Sequence, residues 1–306
     1  MAFDLTEDQL ALRDGIRALV EGRFPIEQVR EGFDRAGFDE LAAAGVFSLL
    51  ADGFSWADAA IVYEELGRGC VPGPLVWSFG QPDVTTGFDT AINGAAWVEH
   101  LGTADTVLVL DSDRARRVPV TGLAVGDPAD WPLDPLTPVW HCDAVGSAAG
   151  DVVTVTPVEI RRGGALLTAA YCIGLADRCV DLAVEYAQER RQFDRPIGSF
   201  QAVKHICAEM AVRVELARAA VHAAACVLDD PDAGDADRAI SGAKLLAGEA
   251  AVLNGRGATQ VFGGMGYTWE VDVHLFLKRA WVLETHFGGG DHHADVVAAS
   301  MAAARA

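Results

Sequence analysis

Two long helical stripes meet at a corner running from Ala187 to Gln201, and this corner constrains the chain more than any other stretch. Before it, Leu175, Cys179, Leu182 and Tyr186 recur at spacings of four, three and four residues, the period of one apolar helix face. After it, Val203, Cys207, Met210, Val214, Ala217, Val221 and Leu228 form a similar stripe. Pro196 cannot continue a helix, so the chain must turn here. Arg190, Arg191 and Arg195 crowd the turn beside Phe193. A cationic last turn complements a helix dipole, and a plain solvated hairpin accounts for any one of these arginines. The ordered string asks for more.

The chain is acidic, which makes that cluster informative. Among 306 residues, 24 Lys plus Arg face 44 Asp plus Glu, a formal net charge of -20. A field of this sign argues against nucleic acid and against anionic membrane surfaces as partners. Any anionic ligand therefore needs a local basic pocket, and the corner is the best candidate. Apolar residues make up 51% of the chain, enough to bury a sizeable core in two or three packed units. The six cysteines include no CxxC pair, and four fall inside apolar helical faces, where a thiol behaves as a small hydrophobe. The N-terminus has no basic region followed by an apolar run, and no stretch is long and charge-free enough to span a bilayer. These features predict a reduced, soluble, cytoplasmic protein.

The predicted fold is mostly α with a small β domain. Residues 1–84 read as a helical domain: a start at Thr6 followed by Leu10, Leu12, Ile16 and Val20, a short helix over Phe38–Leu49, and a third over Trp56–Leu66 ending at Gly67. A Gly- and Pro-rich break follows at residues 66–75. Residues 85–160 change character, with β-rich runs such as Thr106–Leu110, Arg117–Val120 and Val152–Val158 between Gly, Pro and Asp clusters. Residues 161–306 return to helices, including Asp237–Gln260 and a last stretch from about Asp291, with residues 229–235 as a solvent-facing turn. Four long helices predict an up-down-up-down bundle.

Arg190, Phe193, Pro196, Ile197, Phe200 and Gln201 together resemble the pattern R-x-x-F-x-x-P-I-x-x-F-Q of the acyl-CoA dehydrogenase family. Gln260-Val-Phe-Gly-Gly-Met-Gly-Tyr, residues 260–267, is similar to that family's Q-x-x-G-G-x-G-Y. The opening Phe-Asp-Leu-Thr-Glu-Asp-Gln of residues 3–9 and the Tyr-Glu-Glu-Leu-Gly-Arg of residues 63–68 resemble its N-terminal helices. The resemblance implies an N-terminal helical domain, a middle β domain and a C-terminal four-helix bundle. It also implies that the corner reaches across a subunit interface to hold the FAD of a neighbour. Arginine suits a pyrophosphate through forked, charge-assisted bonds, and phenylalanine covers an apolar ring. The implied cofactor-binding residues are Arg190, Phe193, Gln201, Gln260, Gly263 and Gly264. By contrast, Gly255-Arg-Gly257 is no dinucleotide fingerprint, because it lacks a third glycine and a preceding strand.

The same resemblance exposes what is missing. The family's Thr-Glu-Pro-x-x-Gly-Ser-Asp and Trp-Ile-Thr-Asn strings, which contact and cover the flavin ring, are not found in the middle domain. The family's base is a glutamate that removes the α-proton of an acyl-CoA thioester, and most members carry it in a Tyr-Glu-Gly-Thr string. Here His286-Phe287-Gly288-Gly289 stands in that place. A second family position for the base falls on Gly164, with Glu159 the nearest carboxylate, while Glu284 lies three residues before Phe287. No catalytic residue is therefore assigned to this chain.

The implied protein is a non-catalytic subunit of a heteromeric acyl-CoA dehydrogenase. A partner subunit supplies the flavin-ring pocket and the catalytic glutamate, and the FAD is shared. Its substrate is an acyl-CoA, with a CoA ester of a steroid side chain as one candidate, and electron-transfer flavoprotein is the expected acceptor. Two other classes compete: a self-sufficient homo-oligomeric dehydrogenase using Glu284 or Glu159, and a flavin-free scaffold. His286, Asp291, His292 and His293 invite a metal, but adjacent histidines on a helix diverge and Asp291 reads as an N-cap. A pyrophosphate contact by the glycine-rich loop is preferred there, and no metal is expected.

Overall fold

The structure, a computed structural model, describes residues 5–91, 97–143 and 145–303. Phe3 and Asp4 of the opening string lie outside the described residues. The first helix, α1 (Glu7–Arg23), starts as its sequence predicts. Thr6 and Gln9 cap each other, each backbone amide donating to the other's side chain at 3.2 Å. A short α2 (Ile26–Arg30) follows. The helix expected over Phe38–Leu49 is instead α3 (Arg35–Ala43). Asp34 sets its start by accepting from the Ala36 and Gly37 amides. Gly45, at a left-handed φ of 81°, ends it early.

Gly67 does not end the third predicted helix; α4 runs over Trp56–Arg68. The glycine serves a crossing with α5 (Pro157–Glu189). A Cβ on Gly67 would run into the Tyr171 carbonyl, and a Cβ on Gly174 would run into the Glu64 carbonyl. The two backbones therefore touch directly. Every residue of α5 from Gly163 to Ala176 is buried, so this helix is enclosed on all sides rather than along one stripe. The N-terminal helices and the bundle share one continuous core around it.

The β region is small and has a core of its own, built on Phe88, Val98, Val107, Val109 and Val118. Its strands are β1 (Thr85–Asp89), β2 (Trp97–Glu99), β3 (Thr106–Leu110), β4 (Ala115–Pro119), β5 (Val139–His141) and β6 (Asp151–Val152). Four of them form one sheet in the order β1-β3-β4-β6, with β1 parallel to β3 and the other pairs antiparallel. Strands β2 and β5 make a separate antiparallel pair. The run Val152–Val158 is not a strand beyond Val152, because Pro157 opens α5 behind a Thr156 cap.

In the bundle, α5 is joined by α6 (Gln201–Asp229) and α7 (Ala236–Phe262). Asn254 on α7 donates to the carbonyls of Ala176 on α5 and Met210 on α6, at 3.2 and 3.0 Å, binding the three together. The last helical stretch expected from about Asp291 is α9 (Gly290–Ala303), and it is preceded by a helix not expected from the sequence, α8 (Val273–Leu283). Eight of the eleven residues of α8 are buried, and the sequence reading did not assign it. Asp291 lies inside the first turn of α9 and is not its N-cap. Arg279 of α8 and Asp134 of the β region form an ion pair of 2.5 Å with side chains only 3% and 0% exposed, which ties the two regions together. Among the described residues no helix is long and apolar enough to cross a membrane, and all six cysteines are free thiols.

The direct contact of α4 with α5 gives a stability prediction. Gly174→Ala forces the helices apart and destabilises the chain by about 1–3 kcal/mol or more. Urea unfolding followed by circular dichroism measures this as a lowered midpoint.

Candidate functional site

The corner is a small hairpin standing out from the bundle. Helix α5 ends at Glu189, and the Arg190 amide donates back to the Tyr186 carbonyl at 2.8 Å. Two short strands, β7 (Arg191–Gln192) and β8 (Arg195–Pro196), then pair antiparallel across a loop of Phe193 and Asp194. Both loop residues are left-handed, at φ of 53° and 63°, the pattern of a type I′ turn. For a phenylalanine that conformation is strained. It leaves Phe193 85% exposed, with the edge of Phe200 at 6.0 Å between centroids as its aromatic contact among the described residues. An apolar ring held out by a strained backbone suits a contact outside this chain.

The cations around it are unusual for this protein. Most arginines are neutralised, as in Arg17 with Glu65, Arg162 with Asp237 and Arg218 with Glu64. The Arg190 side chain has no hydrogen bond, ion pair or ring contact among the described residues. Arg195 lies over the Phe200 ring, 4.0 Å from its centroid, and Arg191 donates to the Asp194 carbonyl at 2.9 Å. Among the described residues none of the three pairs with a carboxylate. They form an exposed basic cluster in a chain of strong negative charge, a chemistry suited to an anion.

The second motif sits at the same end of the bundle. Tyr186, in the last turn of α5, stacks on Phe262 at the end of α7, with centroids 4.1 Å apart and planes 13° apart. Gln260 is exposed on that final turn, and Gly263 ends α7 at φ 63°. A Cβ on Gly263 or Gly264 would meet nothing within 4 Å, so both backbones face open space. Gln201 begins α6, exposed, with its amide 3.3 Å from the His205 ring. All six residues assigned from the sequence therefore lie on the surface of one bundle end. None is buried against this chain's own core.

The expected place of a base is elsewhere and differs in character. Phe287 is 5% exposed and packs its ring against the backbone of Gly164. Both positions at which the family carries its glutamate thus meet in space, and here they hold a phenyl ring and a glycine. They border a cavity of about 480 Å³ walled by Trp56, Trp77, Phe79, Leu108 and Leu167. Glu159 reaches only its rim and is occupied as a cap, accepting from the Thr156 hydroxyl at 2.7 Å and amide at 2.9 Å. These bonds hold its carboxyl below the ordinary value. Glu284 lies against α7, its Cγ beside Gly248, and is not among the lining residues. Lys244 fixes that turn by donating to the carbonyls of Leu283 and Glu284 at 3.0 and 2.9 Å.

The glycine-rich loop disperses its histidines. His286 pairs with Glu99 at 2.8 Å, His293 is buried beside the Ser241 hydroxyl at 3.1 Å, and His292 is exposed. No group of three or more His, Cys, Asp or Glu able to hold a metal occurs among the described residues. Burial opposes the charge of Glu99, yet His286, His100 and Arg279 together hold its carboxyl below the usual value. One feature escaped the sequence reading. Trp97 and Glu99 of β2 line a cavity beside the loop of Phe287. No motif marked them, because the cavity forms only when β2 and that loop come together in the fold.

Comparisons with known proteins bear on the family and the fold. A family model for the acyl-CoA dehydrogenase C-terminal domain matches residues 162–302. The acyl-CoA dehydrogenase IpdE2 of Mycobacterium tuberculosis is 35% identical over 305 residues, spanning 90% of this chain and 91% of that protein. Among solved structures, a chain of the ChsE4-ChsE5 complex from Mycobacterium tuberculosis superposes with a TM-score of 0.81 at 22% identity, covering 99% of both chains. Butyryl-CoA dehydrogenase from Megasphaera elsdenii does so with a TM-score of 0.81 at 18% identity, covering 98% of this chain and 100% of the other. The chain belongs to the acyl-CoA dehydrogenase family.

The buried histidine next to Glu99 yields a pH prediction. Burial pushes His100 down to about 4, while an unfolded histidine titrates near 6.5. Between those values the unfolded chain binds the extra proton, so stability falls as the pH drops from 6.5 toward 4. His100→Asn, whose side chain tolerates the left-handed backbone at φ 54°, flattens that slope by up to about 1.4 kcal/mol per pH unit. Unfolding free energies at a series of pH values measure it.

Proposed function

We propose that this chain is the FAD-completing, non-catalytic subunit of a heteromeric acyl-CoA dehydrogenase. The carrying observation is an asymmetry. The surface residues that serve a neighbour's cofactor are all present at one bundle end, whereas the two base positions that meet at Phe287 and Gly164 carry no carboxylate. A partner subunit then contributes the flavin-ring pocket and the glutamate that removes the α-proton of the acyl-CoA.

The residues at the bundle end fit such a cofactor. Arg190 is an unpaired cation able to grip a pyrophosphate, and Arg195 is braced on Phe200 beside it. Phe193, already turned outward, covers an apolar surface on the partner's side. Gln201 and Gln260 offer amide donors and acceptors, and Gly263 and Gly264 let the backbone come close. Bound FAD supplies a ring that accepts the substrate's β-hydride. What this chain contributes is position and charge, because it holds the anionic part of the cofactor so that the partner's residues can act on the thioester.

The substrate class favoured by the family resemblance is an acyl-CoA with a bulky acyl group, a steroid side-chain ester among them, with electron-transfer flavoprotein as acceptor. Six free thiols suit a cytoplasmic location. The proposed domains are residues 1–84, 85–160 and 161–306, with the structural join before the last set at the start of α5.

Co-expression with a dehydrogenase subunit that carries the full flavin and glutamate motifs tests the proposal. A colourless lone chain and a yellow, active complex are the expected result. In that complex Arg190→Ala removes a charge-assisted hydrogen bond of about 1.5–3 kcal/mol and weakens FAD retention roughly ten- to hundredfold, read from visible flavin absorbance. A yellow lone chain that turns over an acyl-CoA, with activity lost on Glu284→Gln or Glu159→Gln, would establish the homo-oligomeric enzyme instead.

A further inference from the structure

Between the β region and the bundle, four groups touch in succession. They are the Gly87 backbone of β1, the Trp77 indole, the Phe287 ring and the Gly164 backbone of α5. The two rings are 4.3 Å apart between centroids, with planes 34° apart. A Cβ at Gly87 would run into the indole, and a Cβ at Gly164 would run into the phenyl ring. Glycine is thus needed at both ends of the stack, and no thickness is left in it for another planar group.

The same two rings divide the space around them. The cavity of about 480 Å³ on the α5 side has Trp77 and Phe287 in its wall, and so does a second cavity of about 320 Å³ beneath Trp97, Glu99 and His286. Removing the rings would join the two into a single pocket of the size that takes a small-molecule ligand. The chain also secures the rings where they are. Phe287 keeps a left-handed backbone at φ 55°, a conformation a bulky residue holds only when its surroundings impose it. The preceding residue, His286, is anchored to β2 through Glu99 at 2.8 Å.

We infer that Trp77 and Phe287 stand in for a planar aromatic ligand: the slot between β1 and α5 is a site for a tricyclic, flavin-class ring that this chain fills with its own side chains. This rests on the reading under Proposed function and supplies its physical cause. The lone chain takes up no ring because the slot is already packed, and an assembly holds its ring only in the partner's half.

Riboflavin is the probe, because it lacks the pyrophosphate and adenosine that the arginine corner would grip. The unmodified lone chain is expected to leave riboflavin fluorescence unchanged, and saturable quenching by it overturns the inference. Phe287→Gly, which also relieves the left-handed strain, and Trp77→Val are then compared, with folding checked by circular dichroism and thermal melting. A folded variant that binds riboflavin at least about tenfold more tightly than the unmodified chain supports the slot. Folded variants that bind no better overturn it. Should neither variant fold, the unmodified chain still decides the matter by its own titration. A colourless complex with the partner subunit would count against the proposed function alone, since the riboflavin titrations use the lone chain.

Discussion

Direct backbone contact along α5 is the constraint on which the rest of the structure depends. Gly174 lets α4 lie against this helix, Gly163 admits the Trp56 indole, and Gly164 admits the Phe287 ring. Because α5 is enclosed from Gly163 to Ala176, its position is set by packing on every side. One end of it then carries the corner at Arg190, and the other end abuts the slot between the β region and the bundle. A single rigid element thus spaces the arginine corner from the cavity beside Phe287.

The two ends have opposite physical character. At the corner the chain spends conformational strain to hold Phe193 in solvent and leaves Arg190 unpaired within a strongly acidic protein. At the slot it spends the same kind of strain to drive Phe287 inward, onto Trp77. One end is unfinished without another molecule, and the other is finished without a ligand. A subunit that completes a neighbour's site needs this combination, and a self-sufficient enzyme would need the reverse at the slot.

Several elements were legible because their cause is local. The helix start at Thr6, the buried strand β3 and the existence of the turn at the corner follow from a few adjacent residues, whereas the Thr156 cap fell inside a run that reads as β. The six residues at the bundle end were legible as motifs, and the fold placed both motifs together through the stack of Tyr186 on Phe262. Other elements were hidden because their cause is distant. Helix α8 is short, and what holds it is its distant packing on other elements, with Arg279 paired to Asp134 of the β region. Gly67 reads as a helix stop, yet it is a contact point with Tyr171, more than a hundred residues further along the chain.

By itself the sequence determined the helical periods, the caps, the sign of the overall charge and the ordered residues of the corner and the glycine motif, all of which are encoded within one or two helical turns. It also determined that a phenylalanine and a glycine occupy the two positions of the base. Only the tertiary structure decided that these two positions touch, that Trp77 joins them in one stack, and that Glu99 reaches His286 across 187 residues. The reason is physical: such contacts depend on how closely whole helices and strands approach, and residue type at a single position carries no record of that distance.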